Sequence, residues 1–296
     1  MNEEINLKEI PYGLSDFDLV RKDNYYYVDK TRFIKNIEKK GRYLFFIRPR
    51  RFGKSLFLSI MESYYDIDLK DQFDDLFSGT DIHKEPTSER NQYMVLKFNF
   101  AMIEPAPANV EEAFLENIRD QVIYFITKYQ KYLDIDIDKV QNRFQSIKSA
   151  SIIMGALLNY CLGKEKKLYV IIDEYDNFAN TILTSSGQQS YHDITHGEGF
   201  LRSFFNVVKG GTTGSRAPIS RLFMTGVSPI TLDEVASGFN IAANISLDSD
   251  INEILGLTFE EVETMVDYYR QTGKIRHSTP ELMALMSQWY NHYRFS

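Results

Sequence analysis

Tyr43-Leu44-Phe45-Phe46-Ile47-Arg48-Pro49-Arg50-Arg51-Phe52-Gly53-Lys54-Ser55-Leu56 is the stretch that decides the fold. Residues 43–47 form an unbroken apolar run and predict a buried strand, and residues 54–65 predict the helix after it. The loop between them ends in Gly53-Lys54-Ser55, the close of the phosphate-binding-loop pattern, in the strand–loop–helix setting that pattern requires. Each residue type has a reason to be there. A glycine lets backbone approach phosphate oxygens, and a lysine reaches the β and γ phosphates. A serine hydroxyl can coordinate Mg²⁺, while the helix start offers unpaired N–H donors and a favourable dipole. The anion cradle is therefore expected to run through Arg50, Arg51, Phe52, Gly53, Lys54, Ser55 and Leu56. Arg48 replaces the pattern's first glycine, and Pro49 removes a backbone donor. Three arginines in this loop also admit contact with a partner or with nucleic acid.

A second decisive run is Leu168-Tyr169-Val170-Ile171-Ile172-Asp173-Glu174, an apolar strand that ends in two carboxylates. In a phosphate-binding-loop ATPase such a strand is expected beside the loop-bearing strand, with Asp173 on Mg²⁺ together with Ser55. Glu174 then polarises the attacking water as general base. A third apolar run, Leu222-Phe223-Met224-Thr225-Gly226-Val227-Ser228, also ends in polar groups. Its hydroxyl at Thr225 or Ser228 is placed to meet the γ-phosphate or the water. Arg202, Arg216 and Arg221 are candidates to stabilise developing charge, and nothing in the sequence ranks them.

The remaining periodicities set these runs in an alternating order. Strands are predicted at 93–100 and 221–225, and helices at 151–162 and 200–208. Residues 110–132 carry apolar side chains at Val110, Phe114, Leu115, Ile118, Val122, Phe125 and Ile126, the spacing of an amphipathic helix. Alternation of this kind predicts an α/β protein: a phosphate-binding-loop NTPase three-layer sandwich with a mostly parallel sheet. Residues 237–249 read as loop, and 258–271 and 280–290 as two helices, the first opened by a Thr258/Glu261 capping box. The expected division is a nucleotide-binding core at 1–245 and a small helical lid or linker subdomain at 246–296. Residues 185–199 and 210–216, rich in Gly, Ser and Thr, are expected to be mobile loops.

Composition narrows the function classes. With 296 residues, 43% hydrophobic and 25% charged, the chain is an ordinary globular one with room for a large core. A formal charge of -7, from 34 basic and 41 acidic groups, argues against a protein that coats nucleic acid with its whole surface. The single cysteine, Cys161, makes neither an internal disulfide nor a cysteine zinc site, and it fits a reducing cytoplasm. The N-terminus lacks an export stretch, and no apolar run is long enough to span a bilayer. A cytoplasmic protein without membrane contact is expected.

Several separated runs together resemble a known family. Ile10-Pro11-Tyr12-Gly13, Tyr26-Tyr27-Val28-Asp29-Lys30-Thr31 and the loop from Arg48 to Ser55 are similar to the bacterial AAA-ATPase-like family. Ile171 to Asp176, Thr225 to Pro229, Leu255-Gly256-Leu257-Thr258 and the run from Trp289 to Phe295 continue the likeness in order. Members resemble STAND and archaeal-type ATPases and often carry a C-terminal PD-(D/E)XK nuclease-like domain. The resemblance implies ATP and Mg²⁺ as ligands, with Lys54 and Ser55 on phosphate and metal, Asp173 on the metal and Glu174 as base. It also implies that Asp29, Lys30 and Thr31 open a helix near the adenine, and that Arg-Pro at the loop's start is usual. His292 stands where the family has glycine. The nuclease-like domain would begin where these residues end, so no nuclease activity attaches to them.

Other constellations fail. Asp134, Asp136 and Asp138 alternate like a calcium loop, but Lys139 and Gln145 occupy its glycine and glutamate positions. His192 and His196 lack the glutamate of a zinc-protease helix. The acidic run 66–75 reads as an exposed face. Three functions remain: Mg²⁺-dependent ATP hydrolysis driving a conformational change, a nucleotide-gated regulatory module with little turnover, or a nucleic-acid-processing or defence component. The partners expected are a nucleotide and a protein or fused nuclease-like domain, with nucleic acid possible through Arg50 and Arg51.

Overall fold

The computed structural model describes residues 7–103, 109–196, 199–228, 241–271, 273 and 275–289. Pro105, Pro107, Pro229 and the run after Trp289, including His292, lie outside the described residues.

Five parallel strands form one sheet: β1 (Tyr43–Ile47), β2 (Tyr93–Asn99), β3 (Lys167–Asp173), β4 (Ile219–Gly226) and β5 (Ala243–Asn244). Their order across the sheet is β2-β3-β4-β1-β5. The period-2 alternation of side chains divides each central strand between two cores. On β3, Leu168, Val170 and Ile172 join the cluster formed with helices Val110–Lys128, Ala150–Cys161 and Phe200–Gly210. Tyr169 and Ile171 face the other way, onto helices Phe33–Lys40 and Lys54–Tyr65. Burial on both faces is what makes β3 and β4 read as continuous apolar runs. The three-layer α/β expectation is met, and every strand pair is parallel.

The sheet order corrects one expectation. β3 does not lie beside β1; β4 is inserted between them, with Phe46 opposite Thr225 and Ile171 opposite Phe223. An apolar run states that a strand is buried, not which neighbours bury it. Three loop expectations also change. Residues 237–249 contain β5, which pairs with β1 at Leu44 and Phe45 and closes that edge. Most of 185–199 belongs to helix Asn177–Thr195, broken at Gly187 (φ 84°, ψ 177°). The run 66–75 is not an exposed face throughout: Asp66 is fully buried, 2.6 Å from Lys128 Nζ, and Phe73 is in the core. The calcium-like run is structural too, since Asp136 caps helix Ile137–Ser146.

The C-terminal helices are Phe259–Arg270 and Thr279–Trp289. The first carries the expected capping box, with Thr258 and Glu261 each closing on the other's backbone. Ahead of it, Ile245, Ile251 and Ile254 are buried in the same core as Ile34 and Ile37. The first of these helices is fastened to the N-terminal segment. Tyr268 Oη accepts from Lys8 N at 2.8 Å, Tyr269 Oη donates to Lys8 O at 2.7 Å, and both rings meet Tyr26. Among the described residues no helix is long and apolar enough to cross a membrane.

Candidate nucleotide site

Parallel strands place all their carboxyl ends on one edge, and ligands in open α/β sheets bind there. The loop after β1 turns through two left-handed residues, Arg51 (φ 68°) and Gly53 (φ 92°), before helix Lys54–Tyr65 begins. Alternation of this kind turns successive N–H groups inward into an anion-binding concavity. Gly53 is required there because it caps the helix at positive φ.

Lys54 is 4% exposed and its ammonium is fully engaged. Nζ donates to the carbonyls of Arg48 at 3.1 Å and Pro49 at 3.2 Å, and lies 3.2 Å from Glu174 Oε1. Next to it, Ser55 Oγ donates to Asp173 Oδ2 at 2.6 Å. Thr225 Oγ1 donates to the other oxygen, Oδ1, also at 2.6 Å. Asp173 is 1% exposed, so two hydroxyl donors offset what would otherwise be the heavy cost of burying a carboxylate. Glu174 follows at φ 52°, a left-handed position that is rare for a side-chain-bearing residue and turns it out of the strand toward Lys54. Lys54, Ser55, Asp173, Glu174 and Thr225 thus converge, through β4, from three strands. The insertion of β4 is what brings Thr225 into the group.

The family follows from how much of the chain this arrangement spans. Residues 11–236 match the family model described as "Predicted AAA-ATPase". The chain belongs to the AAA-ATPase-like family. It is also 28% identical over 295 residues to an "Uncharacterized protein in vnfD 5'region" of Azotobacter chroococcum mcd 1, covering 98% of this chain and 49% of that protein. The chain therefore spans about half the length of the curated relative it matches. No solved structure matches it.

Within this AAA-ATPase-like chain the three arginines of the loop separate. Arg48 is 2% exposed and points back into the sheet, its Nη1 donating to Ser246 O at 2.6 Å and Ile47 O at 2.9 Å. Its guanidinium lies 4.3 Å from the Phe46 ring, so it fastens the chain after β5 to β1 and does not face the anion cradle. Arg50 is exposed and bonds Asn177 Oδ1 at 3.2 Å, while Arg51 is exposed at the mouth of the cradle. Of the charge-stabilising candidates, Arg221 is excluded by position. It sits at the opposite end of β4, where it pairs with Glu89 at 2.6 Å and Gly41 O at 3.0 Å. Arg216 lies on the loop entering β4, at that same far end. Arg202 lies on helix Phe200–Gly210, whose Leu201, Phe204, Phe205 and Val208 pack in the core on the other side of the sheet from helix Lys54–Tyr65.

A cleft of about 370 Å³ opens beside Gly53. Phe52 and Leu56 line it, together with Ile10, Pro11, Tyr26 and Leu257. Those last residues were not assigned a role in the sequence; they come from three separated runs, 10–13, 26–31 and 255–258, which the fold brings to one cleft. Gly256 links the last of these runs to the loop: its N–H donates to Phe52 O at 3.0 Å. Of Asp29, Lys30 and Thr31, only Lys30 borders this cleft. Asp29 accepts from Asp81 N and Thr31 from Ile82 N, which fastens a neighbouring loop. His192 and His196 stack with ring centroids 4.0 Å apart. Among the described residues no group of three or more His, Cys, Asp and Glu side chains is placed to hold a metal.

Proposed function

We propose that the chain binds ATP with Mg²⁺ at the carboxyl ends of β1, β3 and β4 and hydrolyses it. The observation that supports this reading is the joined pair of contacts Ser55–Asp173–Thr225 and Lys54–Glu174: a lysine, two hydroxyls and two carboxylates gathered at one edge of the sheet, the residue types that phosphate, Mg²⁺ and an attacking water call for. The adenine and ribose take the largely apolar cleft between Phe52, Leu56, Tyr26 and Leu257, with the phosphates over Gly53 and the helix start.

Each side chain has one part. Lys54 exchanges its carbonyl and Glu174 partners for phosphate oxygens, so phosphate entry frees Glu174. Glu174 then orients the attacking water, and Thr225 donates toward the γ-phosphate or that water. Ser55 and Asp173 supply hard oxygen donors of the kind Mg²⁺ takes in small number from protein when phosphates and water complete its shell. When bound, the metal neutralises charge on the phosphate oxygens. Arg50 and Arg51 add positive charge at the cradle's mouth.

The Lys54–Glu174 contact also favours a second reading, a nucleotide-gated regulatory module with little turnover, in which Glu174 is kept from water except while nucleotide is held. In either case the lid formed by residues 246–296 transmits occupancy to a protein partner or a fused nuclease-like domain. The test is nucleotide titration with Mg²⁺, followed by phosphate release. Wild type binds ATP and releases phosphate, and Lys54→Ala loses affinity. Failure of wild type to bind ATP would overturn both readings.

A further inference from the structure

The acidic run after β3 continues past Glu174 into Tyr175 and Asp176, to which the chemistry above gives no part. Both are 0% exposed. Asp176 Oδ2 accepts Ser228 N–H at 2.6 Å, Val227 N–H at 3.1 Å and the Asn180 amide at 2.8 Å, and Oδ1 is 3.2 Å from Val227 N. Tyr175 adds two bonds to the same segment: its N–H donates to Thr225 O at 3.0 Å and its hydroxyl to Ser228 O at 2.6 Å. Two consecutive residues of one loop thus hold the backbone of Thr225 to Ser228 in the next.

There is no slack in this junction. A Cβ on Gly226 would lie 2.4 Å from the Tyr175 ring and 2.6 Å from Asp176 Oδ1, so no side chain fits between the two loops. Burial pushes the Asp176 carboxyl up, and the Ser228 and Val227 N–H groups pull it back. Backbone N–H donors bind an ionised acceptor more strongly than a neutral one, which gives a carboxylate an advantage here over an amide. The clamped segment carries Thr225, whose hydroxyl rests on Asp173, and the clamping loop carries Glu174 at its left-handed turn.

We propose that Asp176 is a positioning residue for hydrolysis: with Tyr175 it locks the segment after β4 to the loop after β3, so that Glu174 and Thr225 meet the γ-phosphate and water in one fixed frame. This rests on the ATPase reading above. ATP binding draws on the loop after β1 and survives loss of the clamp, whereas turnover depends on alignment.

The experiment compares Asp176→Ala, Asp176→Asn and Tyr175→Phe with wild type for ATP dissociation constant, KM, kcat and thermal midpoint. Asp176→Ala is expected to bind ATP as wild type does while kcat falls by about a hundredfold, the scale of a small misplacement. Asp176→Asn keeps an oxygen that accepts from Ser228 N–H but turns its amide toward Val227 N–H, and it recovers only part of the rate. Tyr175→Phe loses one bond and shows a smaller fall in kcat at unchanged KM. Wild-type kcat in Asp176→Ala would overturn the proposal, and so would equal loss of affinity and rate in that variant. If the alanine variant does not fold, wild-type kcat in Tyr175→Phe overturns it. Failure of wild type to bind ATP instead overturns the nucleotide readings and the proposal that rests on them, and it is distinguishable from these outcomes because it appears in wild type.

Discussion

Ser55 Oγ and Asp173 Oδ2 are 2.6 Å apart although 118 positions separate them in the chain. The contact joins the first turn of helix Lys54–Tyr65 to the end of a strand that is not a neighbour of β1. β4, lying between, brings its penultimate residue, Thr225, onto the opposite oxygen of Asp173. The site is therefore assembled by sheet order as much as by the loop itself.

Arg48 is a structural residue in this account, despite its place at the head of the phosphate loop. Arg48→Ala removes donors from two backbone carbonyls and the stack on Phe46. It should cost about 3 kcal/mol in urea denaturation, as buried acceptors lose their partners. ATP affinity of the folded variant should stay at the wild-type level. Lower affinity with unchanged stability would put this side chain on the phosphates instead.

Lys30 ties the N-terminal segment to the start of helix Phe259–Arg270. Its ammonium lies 2.6 Å from Glu261 Oε1 and 2.9 Å from Glu253 O, at the border of the cleft beside Gly53. Lys30→Ala leaves Glu261 without its cation and loosens helix Phe259–Arg270. ATP affinity should fall by about tenfold, equivalent to about 1.4 kcal/mol, and limited proteolysis should cut faster between residues 241 and 258. An unchanged digestion pattern would separate this ion pair from the placement of that helix.

A pH effect is expected at the far end of the sheet, away from the site. Glu38 accepts from Tyr65 Oη at 3.0 Å and Thr87 Oγ1 at 2.8 Å, and burial raises its carboxyl above the usual 4.5 despite those bonds. A raised carboxyl binds more protons folded than unfolded, so its contribution is present in full below the unfolded value and lost as pH rises through the folded one. Glu38→Gln keeps the acceptor without the charge. It should raise the melting temperature at pH 7 and flatten the decline just above pH 4.5; a lower melting temperature at pH 7 would reverse the assignment.

The loop after β1 and the acidic end of β3 were legible in the sequence because both are local: an apolar run, then the residue types that phosphate and metal demand. The helix boundary at Thr258 was equally local, resting on two residues three apart. Less local features were not legible. β5 is two residues long, too short for any period, and is held through its pairing with Leu44 and Phe45. The second half of helix Asn177–Thr195, from residue 185 on, is rich in Ser and Gln and reads as loop; Tyr191 and Ile194 fix it to the core. Arg48 resembles its exposed neighbours in sequence, and only the approach of Ser246 turns it inward.

The most direct test of the central claim is ATP retention and phosphate release by Glu174→Gln. The side chain reaches Lys54 at 3.2 Å but is assigned to water, not to nucleotide binding. The account predicts that this variant binds ATP with Mg²⁺ at least as tightly as wild type and holds it unhydrolysed through a single-turnover measurement. Phosphate release at the wild-type rate would contradict it.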